Sequence, residues 1–182
     1  MTVIKRFNDT LVPTKAKVLE TYDKVKHLEV INGFLETAYG YQFYNTSRFT
    51  FKSLITDPEN IEDNFRDYLA GFSENVQQIL ARMNFQAQVD RMGEAGVLYQ
   101  VIVDFAAENL DMSPNRISTV DMGYIFENLV QRFSESYNEE AGAHFTSRDI
   151  IYLMTDLLLS DADLANTSNV TVYDMAMGTS QM

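Results

Sequence analysis

MGYIFENLVQRF, residues 122–133, is the stretch on which the fold turns. Met122, Ile125, Phe126, Leu129, Val130 and Phe133 recur at i, i+3, i+4, i+7, i+8 and i+11. That is the period of an α-helix, not the alternation of a strand. So wide an apolar stripe demands cover, and core packing is its expected use. Toward the C-terminus, SESYNEEAGAH (134–144) is polar and reads as a loop. Thr146 then opens another helix. Asp149 stands three residues on, a capping-box-like pair in which each side chain satisfies the other residue's backbone N–H. Ile150, Leu153, Met154, Leu157 and Leu158 are its expected buried face. After a loop at 160–169, VTVY (170–173) is the one convincing strand, followed by Asp174 and a turn around Gly178.

Toward the N-terminus the same helical grammar holds. Val97, Leu98, Val101, Ile102 and Phe105 share a face, and DMSPN (111–115) interrupts the chain after it. Ser73 with Val76, Ile79, Leu80 and Met83 begins a helix. Asp57-Pro58 carries the N-cap and first-turn proline of another, which Leu69 and Gly71 end. YGYQFYNTSRFTF (39–51) is aromatic and without period, which suits a packed loop. Pro13-Thr14 precedes a charged helix with Val18, Tyr22 and Val25 on one side. The sequence therefore predicts a mainly α chain, a helical bundle ending in one strand. The composition shift at 134–145 is its best boundary.

The 182 residues are 46% hydrophobic, enough for a real core. Cysteine is absent, which excludes disulfides and thiolate metal sites and suits a reducing compartment. The two histidines, His27 and His144, give a zinc site little support. MTVIKRFNDT lacks the apolar stretch of a signal peptide, and no run has the length of a membrane span. A soluble, cytoplasmic protein is expected. The net charge of −12 argues against a stand-alone DNA binder, which normally presents a basic face. Lys5, Arg6, Lys15, Lys17, Lys24 and Lys26 cluster before residue 27, and the other basic residues are scattered. If the chain serves a nucleic acid, a partner holds it.

A strand, a carboxylate and a glycine turn are the parts of a nucleotide-type pocket. Asp174 would accept hydrogen bonds, and the turn at Gly178 would bring backbone N–H groups to a ligand. Upstream, Phe145 could cover a flat ring, Thr146 could donate a hydrogen bond, and a helix N-terminus favours an anionic group. By themselves, these residues are better explained as a loop with a buried Phe and an N-cap Thr.

Several motifs in order carry more. MGYIFENLVQRFSESYNEEAGAHFTSRDIIYLMTDLLL (122–159), followed by VYDMAMGTSQM, resembles the methylation (M) subunit of type I restriction–modification systems. That family reads Met-Gly-Tyr-Ile-Phe-Glu, then Ala-Gly-x-x-Phe-Thr-Pro-Arg, then Asp-Pro-Ala-x-Gly-Thr. FYNTSRFTF, NIEDNFRDYLAGFSENVQQIL and PTKAKVLE resemble its N-terminal helical domain, so the likeness runs along essentially the whole chain.

The resemblance implies a helical domain over 1–137 and, over 138–182, the first helix and strand of a Rossmann-like methyltransferase domain. The activity it implies is transfer of a methyl group from S-adenosylmethionine to the exocyclic N6 amine of adenine in DNA. The target base is flipped out of the helix. Matched by position, the cofactor-binding residues are Ala143, His144, Phe145, Thr146, Ser147 and Arg148, then Asp174, then Gly178, Thr179, Ser180 and Gln181. Ser147 and Met175 stand where the family has proline, and the family's second glycine has no counterpart near Ser180 and Gln181. The implied partners are a specificity subunit, a restriction (motor) subunit and, through the assembled complex, DNA. The family's catalytic Asn-Pro-Pro-aromatic motif needs adjacent prolines, and the prolines here are Pro13, Pro58 and Pro114. No catalytic residue is therefore expected. The first residues resemble an internal stretch that another apolar helix precedes in the family. A fragment, inactive alone, is the expectation. The alternative is a helical protein–protein interaction module of the same assembly, with a non-functional remnant as a third reading.

Overall fold

The computed structural model describes residues 1–28, 31–136, 146, 148–160, 171 and 173–175. Within these the chain is helical, and no strand is present among the described residues. It divides into two compact units, Met1–Ile117 and Ser118–Met182.

In the first unit α1 (Thr2–Leu11) runs through a 3-10 turn, Val12–Thr14, into α2 (Lys15–Val25), with Pro13 in the turn where its missing N–H costs nothing. α3 (Asn32–Tyr39) ends on Gly40, whose φ of 73° is the left-handed C-cap that glycine adopts freely. A loop leads to the short α4 (Phe51–Leu54). There Thr50 and Ser53 cap each other reciprocally. Then come α5 (Ile61–Ala70), α6 (Glu74–Arg82), α7 (Phe85–Glu94) and α8 (Leu98–Ala106). The corner between α6 and α7 turns on Asn84 at φ 48°, a conformation Asn tolerates better than most residues.

α5 begins at Ile61 rather than at the Asp57-Pro58 pair. Asp57 is used before the helix: its carboxylate accepts from Asn60 Nδ2 at 3.1 Å and from Asn64 Nδ2 at 3.1 Å. Those two hydrogen bonds hold its carboxyl below the usual range. The end of α5 falls at Gly71 and the start of α6 at Ser73, as the sequence predicts. α1, α3 and α7 carry no signal strong enough to place them from sequence.

The core of this unit is aromatic at its centre. Phe51, Phe65 and Tyr68 are fully buried, and Phe65 stacks on Tyr68 with ring centroids 6.2 Å apart. Ile4, Val18, Leu35, Leu54, Val76, Val89 and Ile102 surround them, one from nearly every helix. The stripe at 97–105 divides accordingly: Leu98 and Ile102 are buried, while Val97 is exposed. The 40–50 loop is packed, as its composition suggests. It forms an isolated antiparallel bridge, Asn45 to Phe72, with Thr46 N–H donating to the Gly71 carbonyl at 2.8 Å.

Buried polar groups are paired. Asn45 Nδ2 donates to the Tyr68 carbonyl at 2.9 Å, while Asn45 Oδ1 accepts from Ser47 N–H at 2.9 Å and from Lys15 Nζ at 3.4 Å. Ser47 Oγ donates to Asp67 at 2.8 Å. Burial lowers the Lys15 ammonium to about 8, against an opposing pull from Asp67. Half of the basic run before residue 27 is thus engaged within the fold, while Lys17, Lys24 and Lys26 are exposed. Lys5 is buried and paired with Asp9 at 2.9 Å, Lys15 is buried, and Arg6 binds backbone carbonyls.

In the second unit the described elements are α9 (Thr119–Ser136) and α10 (Arg148–Leu159). Ser118 caps α9: its N–H and Oγ both donate to Asp121, and Asp121 N–H donates back to Ser118 Oγ at 3.1 Å. The expected burial is met only in part on α9, where Ile125 and Leu129 are half-buried, and not on α10. Met122 is buried, but Phe126, Val130 and Phe133 are exposed, Phe133 by 62%. On α10 Ile150, Leu153, Met154, Leu157 and Leu158 are all exposed, the last two by 66% and 68%. A helical period fixes which side chains share a face. It does not supply the surface that covers them, and α9 and α10 meet through polar side chains instead.

The strand expected at 170–173 lies partly outside the described residues. Thr171 and Tyr173 are described, both exposed and neither in a ladder.

Candidate functional site

Of the residues assigned to a cofactor, Ala143, His144, Phe145, Ser147, Gly178, Thr179, Ser180 and Gln181 lie outside the described residues. Thr146 is exposed and precedes α10. Arg148 is the first residue of α10, and Asp174 is half-buried. The contacts of Arg148 define a site geometry.

Four side chains of the second unit converge there. On α9, Tyr124 and Glu127 are three residues apart and so share a face; on α10, Arg148 and Tyr152 are four apart and do the same. Arg148 Nη2 is ion-paired with Glu127 Oε2. Its guanidinium carbon lies 3.7 Å from the centroid of the Tyr124 ring, a cation–π contact. Tyr124 and Tyr152 share a hydrogen bond between their hydroxyls at 3.3 Å. That bond, with the Arg148 guanidinium behind it, lowers the Tyr152 phenol, and the same bond raises Tyr124.

The arrangement is a clamp. A cation in the first turn of a helix is disfavoured by the positive end of the helix dipole. Here Glu127 neutralises it and Tyr124 spreads it over a ring face. The pair leaves Arg148 engaged with its own protein, holding the start of α10 against α9. Asp174 and the Thr146 hydroxyl have the polarity that a ribose or an ammonium group requires.

Sequence reasoning missed Tyr124, Glu127 and Tyr152. The apolar stripe dominates the period of α9, and the polar pair is interleaved with it. The available signal was the matched spacing: an acid and a ring at i, i+3 on one helix, and a base and a ring at i, i+4 on the next.

Two clefts of the first unit contain none of the sequence-assigned residues. One, of about 330 Å³, is lined by Leu69, Gln77, Leu80, Ala81, Asn84, Phe85 and Gln86; the other, of about 270 Å³, by Asn32, Glu36, Ser73, Glu74, Asn75 and Gln78. No helix among the described residues is long and apolar enough to cross a membrane.

Comparison with known families gives two matches in sequence order. Residues 1–105 match the model described as the HsdM N-terminal domain, and residues 118–182 the model described as N-6 DNA Methylase. No curated protein and no solved structure matches the chain.

Proposed function

From the premise that the chain belongs to the HsdM N-terminal domain family, we propose that it serves site-specific methylation of adenine N6 in DNA. The two matches, in this order, are those of a type I restriction–modification methylation subunit, its N-terminal domain followed by the start of its methyltransferase domain. That ordered pair is the observation that carries the reading. The second match begins at residue 118, where the second compact unit also begins.

In this reading S-adenosylmethionine supplies the methyl group as an electrophilic sulfonium. The segment Ala143–Arg148 lines its pocket, Asp174 accepts from its polar groups, and Gly178–Gln181 form the turn beside it. The polarity of Thr146 and Asp174 fits such a ligand. The Rossmann-like strand belongs to the proposal, over 170–173. So does the functional boundary at 137/138; a stable proteolytic domain ending at 117 instead would assign α9 to the methyltransferase part. A specificity subunit would read the DNA sequence, which accords with the net charge of −12. A motor subunit would complete the assembly, in the cytoplasm.

These 182 residues contain no adjacent prolines and hence no Asn-Pro-Pro motif. The chain alone is therefore expected to transfer no methyl group. Tritiated S-adenosylmethionine with adenine-containing duplex DNA tests this, and labelled adenine formed by the chain alone would overturn it.

One observation favours the second reading, a helical interaction module. The apolar faces of α9 and α10 stand exposed, and faces of this kind mark association surfaces. Co-purification with a specificity subunit at low salt would support it.

A further inference from the structure

We propose that residues 107–117 form a releasable strap seated on α1, whose release lengthens the free chain ahead of α9 while the helical core stays folded. The segment belongs to neither family match, since the first ends at 105 and the second begins at 118. It is bound all the same, and chiefly by one helix. α8 stops at Ala106, and Ala107 turns extended with ψ 138°. Arg6 Nη1 then donates to the carbonyls of Met112 at 2.5 Å and Ile117 at 2.8 Å, while Met112 N–H donates to Asp9 Oδ2 at 2.8 Å. Met112 is the one buried side chain of the segment; the others are half-buried or exposed. Its turns are internal: Leu110 N–H donates to the Ala107 carbonyl and Ile117 N–H to the Ser113 carbonyl, each at 3.0 Å. Self-contained turns with a single buried anchor are the kind of structure that opens locally, at far lower cost than global unfolding.

α1 does not need the strap to stay in place. Ile4, Asn8 and Leu11, at i, i+4 and i+7, are buried in the core, and Asn8 Oδ1 accepts from Phe51 N–H at 3.2 Å and from the Tyr68 hydroxyl at 3.4 Å. Release also leaves no buried charge alone. Asp9 Oδ1 keeps the Lys5 ammonium at 2.9 Å and Asn8 Nδ2 at 2.9 Å, and only Oδ2 gives up the Met112 N–H. The Arg6 guanidinium exchanges two carbonyls for water, a trade of small net cost. The strap is therefore held by few contacts, each replaceable by solvent, on a helix anchored from its other side. Its eleven residues, once free, reach at most ~36–40 Å.

The test is amide hydrogen exchange of the full chain at low denaturant, with the Met112 amide compared with the buried Phe65 and Tyr68 of α5. Met112 should open at least about a hundredfold more often than the core amides, with little dependence on denaturant, as local openings do. Equal protection and equal denaturant dependence at Met112 and Tyr68 would overturn the proposal, because the strap would then leave only when the core unfolds. Arg6→Gln should speed exchange at Met112 about tenfold and leave Tyr68 unchanged. Equal acceleration of both would make Arg6 a core residue, and no acceleration of either would remove it as the hold; each result overturns the strap as described. The lengthening is read by pulsed electron resonance between spin labels at Lys24→Cys and Asn115→Cys, exposed positions in a chain without native cysteine. Arg6→Gln should add a longer, broader set of distances. An unchanged distribution alongside faster exchange at Met112 would overturn the lengthening. Should Arg6→Gln fail to fold, exchange in the unmodified chain decides alone.

Discussion

Gly71 faces the backbone nitrogen of Ser47 so closely that a Cβ built on it would lie 2.5 Å from that atom. The same Cβ would lie 2.7 Å from Ser47 Cβ and 2.9 Å from Asn45 Oδ1. Its backbone φ of −71° is ordinary, so glycine is required by space and not by torsion. The approach brings the aromatic loop onto the end of α5, where the Asn45–Phe72 bridge forms.

Gly71→Ala should therefore destabilise the first unit by about 1–3 kcal/mol, the range for overpacking a rigid site. Thermal unfolding followed by circular dichroism should show Tm several degrees lower. An unchanged Tm would mean that the loop yields without cost.

Lys15 gives stability a pH dependence of predictable sign. Its folded-state value is about 8, and burial is the cause. In the unfolded chain it returns to about 10.4. Between those values the unfolded state holds the extra proton, so stability rises as pH rises through the window. Below the folded value both states are protonated and the burial cost is constant. Tm should climb between pH 7.5 and 9.5 by an amount reflecting ~1–3 kcal/mol. Lys15→Met should flatten that rise; an equal rise in the variant would place its origin elsewhere.

The first helix latches the segment that leads out of the first unit. Arg6 Nη1 donates to the carbonyls of Met112 at 2.5 Å and Ile117 at 2.8 Å, and Met112 N–H donates to Asp9 at 2.8 Å. Arg6→Ala should expose residues 111–117 to protease, speeding limited cleavage at Arg116 at least ~10-fold, the loss of two hydrogen bonds from a charged donor. Core melting should change less. Cleavage at the original rate would show that Asp9 and the buried Met112 side chain suffice.

The exposed faces of α10 predict a variant without a folding cost. Leu157→Lys with Leu158→Lys should shift Tm by less than the equivalent of ~0.5 kcal/mol, the usual scale for surface changes. It should also reduce dye binding and association in sedimentation. A large loss of Tm would mean that these side chains are covered in solution.

What was legible in the sequence follows from local rules. The period of residues 122–133, the breaks at Gly71 and at 111–115, and the cap at Ser73 are set by neighbours a few residues apart, and the helices they mark are found. The order of family motifs is equally a property of the chain, and it is what directs attention to Arg148.

Other features required the folded chain. Asp57-Pro58 looks like a helix start, but two asparagine side chains draw Asp57 into a turn before the helix begins. Asn45 and Lys15 look like surface residues, and only the meeting of α2, the 40–50 loop and α5 buries them together. The stripe at 150–158 is expected to be buried and stands exposed, and in that at 122–133 Met122 is buried, Ile125 and Leu129 are half-buried and the rest exposed, because amphipathicity states a demand and tertiary contacts decide whether it is met. Glu127 and Arg148 are 21 positions apart, and no local period links them; the ion pair exists because α9 and α10 approach through that one face. Sequence alone determined the helical periods of α6, α8, α9 and α10, the stop at Gly71 and to which family the order of motifs points, since these depend on neighbouring residues and on order. Which polar groups were desolvated, which glycine had no room for a methyl, and which arginine was clamped were decided by the tertiary structure, because each depends on distances between residues remote in the chain.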